Sequence, residues 1–419
     1  MREIWRRILQ TGGVKIYGVL LSMLSIMVTA RILGPEGRGE LVIINTWVTA
    51  FSTFAYLSLG QVAVHRAAKS VGQDWLAEAY HTLLSFALVA TVCGWSVALV
   101  LYYGPWNAVF GNVLPAWLLL GFLLLPLRIW EQYGSSLLMA LERLDVYNRF
   151  NFIGSTSGFL STMLLLLVFG LGVEGVLISY LISQVIIASG GLGLLHRTAG
   201  GWARPRSAAV KSYLGSGLKL HMNAIGMFFI TGSDILMLNY YRSLEETAYY
   251  QLGVQLIGVV ALVPQAASMV LYGKISSLGP DRAWVIHRRV LLQVTGLIAA
   301  GAFIAGISAP WWFVLLAGEA FTPGVDLFQW LLLASVGMAF SAVMAPQWIG
   351  RGYFGTVSML TLTFGMLNLG LNWLLIPEHG MYGALAATLI TYTISVLING
   401  AMAVYCQNRY RVAGGNTYG

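Results

Sequence analysis

Twelve stretches of mostly apolar residues, set close together and divided by short polar segments, leave this sequence few ways to fold. They run near 12–33, 40–64, 80–103, 114–139, 150–171, 174–195, 214–240, 247–273, 290–315, 326–350, 355–376 and 381–405. A membrane-spanning helix needs about 20 apolar residues, and a soluble domain must cover itself with polar side chains. Composition closes off the soluble alternative: 58% of the 419 residues are hydrophobic and only 10% are charged, against roughly 25% charged in an ordinary soluble domain. With a mean hydropathy of +0.74, the chain is expected to be an all-α polytopic membrane protein of about twelve transmembrane helices. Cys93 and Cys406 are too few for a disulfide framework and are expected to be packing residues. Arg2, Arg6 and Arg7 ahead of the first run imitate a secretory leader. That run, however, is longer than the roughly 7–15 residues of a leader core, and it is expected to be a retained span.

The basic residues test this layout, because Lys and Arg collect in short cytoplasmic connections. An even number of spans puts both termini on one side. On that side fall Arg2, Arg6, Arg7, Lys15, Arg66, Lys69, Arg143, Arg149, Arg197, Arg204, Arg206, Lys211, Lys274, Arg282, Arg288, Arg289, Arg351, Arg409 and Arg411, 19 of the 24 basic residues. The other side holds Arg31, Arg38 and Arg242, and Arg128 and Lys219 lie within spans. Both termini are therefore expected to be cytoplasmic. The net charge of +8 is accounted for by this bias, so no nucleic-acid partner is expected.

The chain also resembles itself at about half its length. Gly13-Val14-Lys15-Ile16-Tyr17 is similar to Gly217-Leu218-Lys219-Leu220-His221, and Leu33-Gly34-Pro35-Glu36-Gly37 aligns with Arg242-Ser243-Leu244-Glu245-Glu246. Two six-span halves that both start from the cytoplasm form a parallel repeat, an arrangement found in secondary transporters. The expected domains are an N-terminal six-helix bundle over 1–200, a cytoplasmic linker over 201–213 and a C-terminal six-helix bundle over 214–419, enclosing a central cavity.

Ionisable groups inside spans cost roughly 2.5–3.5 kcal/mol on insertion scales and mark function by default. Arg128 and Glu131, three residues apart in the fourth span, share a helix face where they can pair with each other. On a straight seventh span Lys219 and Asp234 would share a face about 22 Å apart along the axis. Polar side chains recur at helical spacing beside them: Asn45, Thr49, Ser52 and Tyr56; Asn148, Asn151, Ser155 and Thr162; Lys219, Asn223 and Asp234; Gln251, Gln255 and Gln265; Asn368 and Asn372. Amides cannot face lipid unsatisfied, so these rows face either neighbouring helices or a wet cavity. Arg128, Lys219 and Lys15, with Asn151 and Asn223, are the candidate substrate-binding residues, since Arg and Lys both bind phosphate. The competing roles are an ion pair with Glu131 for Arg128 and snorkelling to the interface for the two lysines. Asp234 and Glu131 are the candidate ion-coupling residues.

Signals for enzymatic chemistry are weak. The six histidines show no metal-ligand spacing, and no GxxxxGK phosphate loop occurs, so no catalytic residue, metal or cofactor is expected.

The segment Ala30-Arg31-Ile32-Leu33-Gly34-Pro35-Glu36-Gly37-Arg38-Gly39 resembles the start of polysaccharide transporters of the Wzx type, in the multidrug/oligosaccharidyl-lipid/polysaccharide exporter superfamily. Leu244-Glu245-Glu246-Thr247-Ala248-Tyr249-Tyr250 is similar to that family's second-half counterpart. Arg38 and Glu40, flanking Gly39, depart from the pattern, in which an aromatic is frequent. The resemblance implies two six-helix bundles alternating between inward-open and outward-open forms. It further implies a flippase carrying undecaprenyl-pyrophosphate-linked oligosaccharide to the outer leaflet of the cytoplasmic (inner) membrane. Such a flippase would serve O-antigen or other surface polysaccharide assembly beside a polysaccharide polymerase and a chain-length regulator. The rival readings are a multidrug exporter of the same superfamily and a membrane glycosyltransferase or polymerase. The candidate phosphate-binding cations weigh against the first, and the absence of a sizeable extramembrane loop weighs against the second.

Overall fold

The computed structural model describes residues 2–69, 74–111, 113–200 and 207–412, and among them there is no β-strand. The helices are α1 (Arg2–Tyr56), α2 (Leu59–Ala67), α3 (Asp74–Tyr103), α4 (Pro115–Phe122), α5 (Leu124–Ala140), α6 (Leu144–Met163), α7 (Gly172–Ser189), α8 (Leu192–Thr198), α9 (Ser207–Thr231), α10 (Ser233–Tyr241), α11 (Leu244–Val260), α12 (Leu262–Leu278), α13 (Trp284–Ala317), α14 (Gly324–Gly350) and α15 (Phe354–Val412). Eight helical stretches among the described residues are long and apolar enough to cross a membrane, nine when the bent pair α9–α10 is counted.

Two of these stretches are too long to be single spans. The apolar part of α1 covers 41 residues and that of α15 covers 57, about 60 and 85 Å at 1.5 Å per residue, against a hydrocarbon core of about 30 Å. Each contains one glycine with non-helical angles, Gly34 (φ 68°, ψ −175°) in α1 and Gly380 (φ 53°, ψ −133°) in α15. Each therefore holds two of the expected spans joined at a glycine. With α4–α5 as the fourth span, the helices account for all twelve.

The two turns are tied differently. Next to Gly34, the buried Arg38 donates from Nη1 to Thr29 Oγ1 at 3.0 Å, and Thr29 passes its own hydrogen to the Ser25 carbonyl at 2.7 Å. Arg38, one of the two residues that depart from the family pattern, thus fastens the second span to the first. At the α15 turn, Pro377 and Gly380 interrupt the helical ladder and leave backbone groups that need partners. Arg242 donates to the carbonyls of Ile376 (3.3 Å) and Pro377 (2.9 Å), and Glu246 accepts the Met381 N–H at 2.9 Å. A Cβ at position 380 would run into the Glu246 carboxylate and approach Arg242 Nε. Gly380→Ala therefore combines about 1–2 kcal/mol of left-handed strain with a displaced Glu246. The expected outcome is a loss of at least 2 kcal/mol, read as an earlier thermal transition of the detergent-purified protein. Gly370→Ala, where a Cβ would meet nothing within 4 Å, serves as the control.

The chain forms two compact units, Met1–Phe228 and Phe229–Gly419. In the first, α1 packs on α5, α6 and α7, α2 packs on α5, and α6 packs along α7. Gly154 and Gly158, one turn apart on α6, face Ser183 of α7 too closely to admit a Cβ. In the second, α14 is central and touches α11, α12, α13 and α15. Cys406 is buried there with Met344 and Trp348, as expected of a packing residue. Cys93, by contrast, is exposed on α3.

The boundary between the units differs from the linker expected at 201–213. Residues 201–206 lie outside the described residues, 207–213 already belong to α9, and most of α9 packs with the first unit. The reason is local. Span two breaks after Tyr56, where Leu57 and Ser58 take left-handed angles, and α9 fills the break. Gly217 lies against the Leu57 carbonyl and Leu59, His221 Nδ1 meets Ser58 Oγ at 3.1 Å, and Tyr213 carries the Arg66 guanidinium 4.0 Å above its ring.

Candidate functional site

In the first unit, α5 carries Arg128 and Glu131, and the ion pair that was the competing role for Arg128 is not made. Among the described residues no ion pair joins them, because each points to a different neighbour. Arg128 donates from Nη1 to Thr49 Oγ1 at 2.7 Å and from Nη2 to Asn45 Oδ1 at 2.5 Å. Asn45 and Thr49 lie four residues apart on α1 and so share one face. Thr49 gives its own hydrogen to the Asn45 carbonyl at 2.7 Å, which leaves a hydroxyl lone pair for the guanidinium. Two of the five guanidinium N–H groups are thus used for positioning, with neutral partners, and among the described residues no acid lies within 4 Å of the guanidinium.

Glu131 faces α6 and α7. Gln184 Nε2 donates to Oε2 at 2.6 Å, and Tyr147 donates its hydroxyl hydrogen to Oε1 at 3.4 Å. The row continues along α6, where Asn151 Nδ2 donates to the Tyr147 oxygen at 3.2 Å and Ser155 Oγ donates to Asn151 Oδ1 at 3.4 Å. Glu131 and Asn151, expected in separate roles, therefore belong to one hydrogen-bonded cluster. Tyr147 and Gln184 were missed in the sequence. Tyr147 holds the i−4 position of the Asn151–Ser155 row and was legible by spacing, whereas nothing in the sequence aims Gln184 at a carboxylate 53 residues earlier.

The side chain of Lys15 lies outside the described residues. Lys219 and Asn223 lie one turn apart on α9, both exposed, while His221 between them is buried against Ser58. Their face is turned away from the core of the first unit.

The expectation that Lys219 and Asp234 share a helix face fails. Gly232 ends α9, α10 starts at Ser233, and the two axes are bent by 42°. Asp234 belongs to the second unit, in the first turn of α10, and is 1% exposed. Its Oδ1 accepts the Ile235 N–H at 2.9 Å, its Oδ2 accepts the Tyr250 hydroxyl hydrogen at 2.5 Å, and the Tyr250 oxygen lies 3.0 Å from Thr388 Oγ1. A helix N-terminus favours a carboxylate, and no basic side chain lies within 4 Å of it among the described residues. The Asn368–Asn372 row, also buried, bonds to itself at 2.9 Å and to Thr391 at 3.4 Å, which makes it a helix-to-helix tie.

The twelve-span helical frame agrees with what comparison with known proteins finds. Residues 4–278, well over half of the chain, match the family described as polysaccharide biosynthesis protein. The chain belongs to that family. Among solved structures it is similar to one described as lipid II flippase MurJ, inward closed conformation, at 12% identity and a TM-score of 0.77, with 93% of this chain and 86% of that chain covered. It is also similar to a multidrug resistance MATE family transporter of the MOP superfamily in an inward-facing conformation, at 12% identity and a TM-score of 0.74, with 94% and 96% covered. At such identity the likeness establishes the fold. No curated protein matches the sequence. The fold is that of the two solved membrane transporters.

Proposed function

We propose that this polysaccharide biosynthesis protein is a flippase that carries undecaprenyl-pyrophosphate-linked oligosaccharide from the cytoplasmic to the outer leaflet of the cytoplasmic membrane, by ion-driven alternating access. The single observation behind this reading is Arg128, a cation inside a span that is positioned by Asn45 and Thr49 and has, among the described residues, no acid within 4 Å. Its remaining N–H groups suit phosphate oxygens, and the same positive charge opposes the organic cations a drug exporter would hold. Lys219 and Lys15 would assist on the cytoplasmic side, with Asn223 on the same α9 face as Lys219, and Asp234 is the ion-coupling carboxylate. The bias of 19 basic residues to one side supports a cytoplasmic location for both termini.

Depleting the protein in its host tests the reading. Lipid-linked oligosaccharide should accumulate in a form shielded from an external glycan-binding probe while surface polysaccharide falls. Unchanged surface polysaccharide, together with new sensitivity to cationic drugs, would put the exporter reading in its place.

A further inference from the structure

The cluster around Glu131 calls for a ligand of its own. A carboxylate inside a span is costly, and the cheapest compensation, the arginine one turn away on the same helix, is directed elsewhere. Among the described residues Glu131 instead receives only neutral donors, the amide of Gln184 and the phenol of Tyr147. Beyond the 2.6 Å bond to Gln184, the two O–H···O links of the Tyr147–Asn151–Ser155 row are 3.4 Å long, past the usual 2.5–3.0 Å, and the N–H···O link between Asn151 and Tyr147, at 3.2 Å, lies at the long end of 2.7–3.2 Å. Bonds that loose are readily exchanged for the hydroxyls of a ligand.

The neighbouring face of α6 adds an apolar element. Tyr17 stacks on Phe152 with ring centroids 4.5 Å apart and an interplanar angle of 29°, its hydroxyl lies 2.9 Å from Thr156 Oγ1, and Phe152 remains 44% exposed. One carboxylate, two amides, a phenol and a hydroxyl beside an exposed aromatic ring match a neutral polyhydroxylated ring. Adjacent sugar hydroxyls donate to the carboxylate while accepting from the amides, and the C–H face of the pyranose lies on the aromatic.

We propose that Glu131, Gln184, Tyr147, Asn151 and Ser155 form a sugar-binding subsite in the first unit, flanked by Phe152 and distinct from the phosphate-binding role of Arg128. This rests on the flippase reading and assigns the glycan of the same substrate its own place.

The full-length protein in detergent tests it by equilibrium binding of two probes. One is the lipid-linked oligosaccharide isolated from depleted cells, and the other is undecaprenyl pyrophosphate without sugar. The wild type should bind the glycosylated lipid at least about tenfold more tightly than the bare one, the scale expected for hydrogen bonds to a charged group. Glu131→Gln and Gln184→Ala should bring that ratio toward one, whereas Arg128→Ala should weaken both lipids together. A ratio of one in the wild type, an unchanged ratio in both variants, or a parallel loss of both lipids in them would overturn the subsite. The last result would make the cluster a tie between α5, α6 and α7. A wild type that binds neither lipid would overturn the flippase reading itself.

Discussion

Arg128→Ala is expected to stop glycan from reaching the outer surface while the protein still inserts into the membrane. The change removes a charged donor aimed at phosphate, for which a loss of about 3 kcal/mol, or roughly a hundredfold in transport, is the expected scale. The structural cost is smaller. Asn45 and Thr49 each lose a donor, but the Thr49 hydroxyl keeps its 2.7 Å bond to the Asn45 carbonyl, so the loss of stability should stay near 1 kcal/mol. Arg128→Lys should recover little, because a single ammonium on a flexible stem cannot meet Asn45 and Thr49 while presenting a planar pair of donors to phosphate. Surface polysaccharide, measured beside the amount of protein in isolated membranes, separates the two effects. Normal surface polysaccharide in the alanine variant would remove Arg128 from the binding site.

That arginine shows how far the sequence reaches. A charge in an apolar run is visible in one dimension, and so is the Asn45–Thr49 row at helical spacing. Their meeting is not, because 79–83 residues separate them and no local rule selects one neighbouring helix over another. The twelve spans were legible for the opposite reason: the bilayer sets the length of each apolar run without reference to its neighbours. What the runs could not reveal is where the chain turns without a loop. Gly34 and Gly380 change direction inside stretches that otherwise continue as helix.

The boundary between the compact units and the geometry of Asp234 were hidden by related causes. Gly217 and His221 stood out as repeat residues, yet being four apart they also form the face that fills the break after Tyr56. Nothing in α9 itself announces that break, which depends on left-handed angles at two non-glycine residues. For Asp234, a straight helix was assumed through Gly232, and the 42° bend there changes its partners entirely. Tyr250 and Thr388 become its neighbours from 16 and more than 150 residues away.

Those partners lead to the second large effect. Asp234 is enclosed with one backbone N–H, one phenol and no counter-cation within 4 Å among the described residues. A buried carboxylate held only by neutral donors is costly, and a cation that visits during the transport cycle would relieve that cost in one conformation and not in the other. A ligand drives a cycle only through such a difference in affinity between states. In reconstituted vesicles an imposed proton or sodium gradient should therefore accelerate wild-type flipping. Asp234→Asn keeps the shape and an acceptor oxygen but discards the charge, and its rate should no longer respond to either gradient. Tyr250→Phe should behave differently, because it leaves the charge buried with a donor missing. A loss of about 1–3 kcal/mol of stability should appear as an earlier thermal transition in detergent. If Asp234→Asn still responds to the gradient as the wild type does, the coupling carboxylate lies elsewhere and Asp234 serves only to hold α10 against Tyr250.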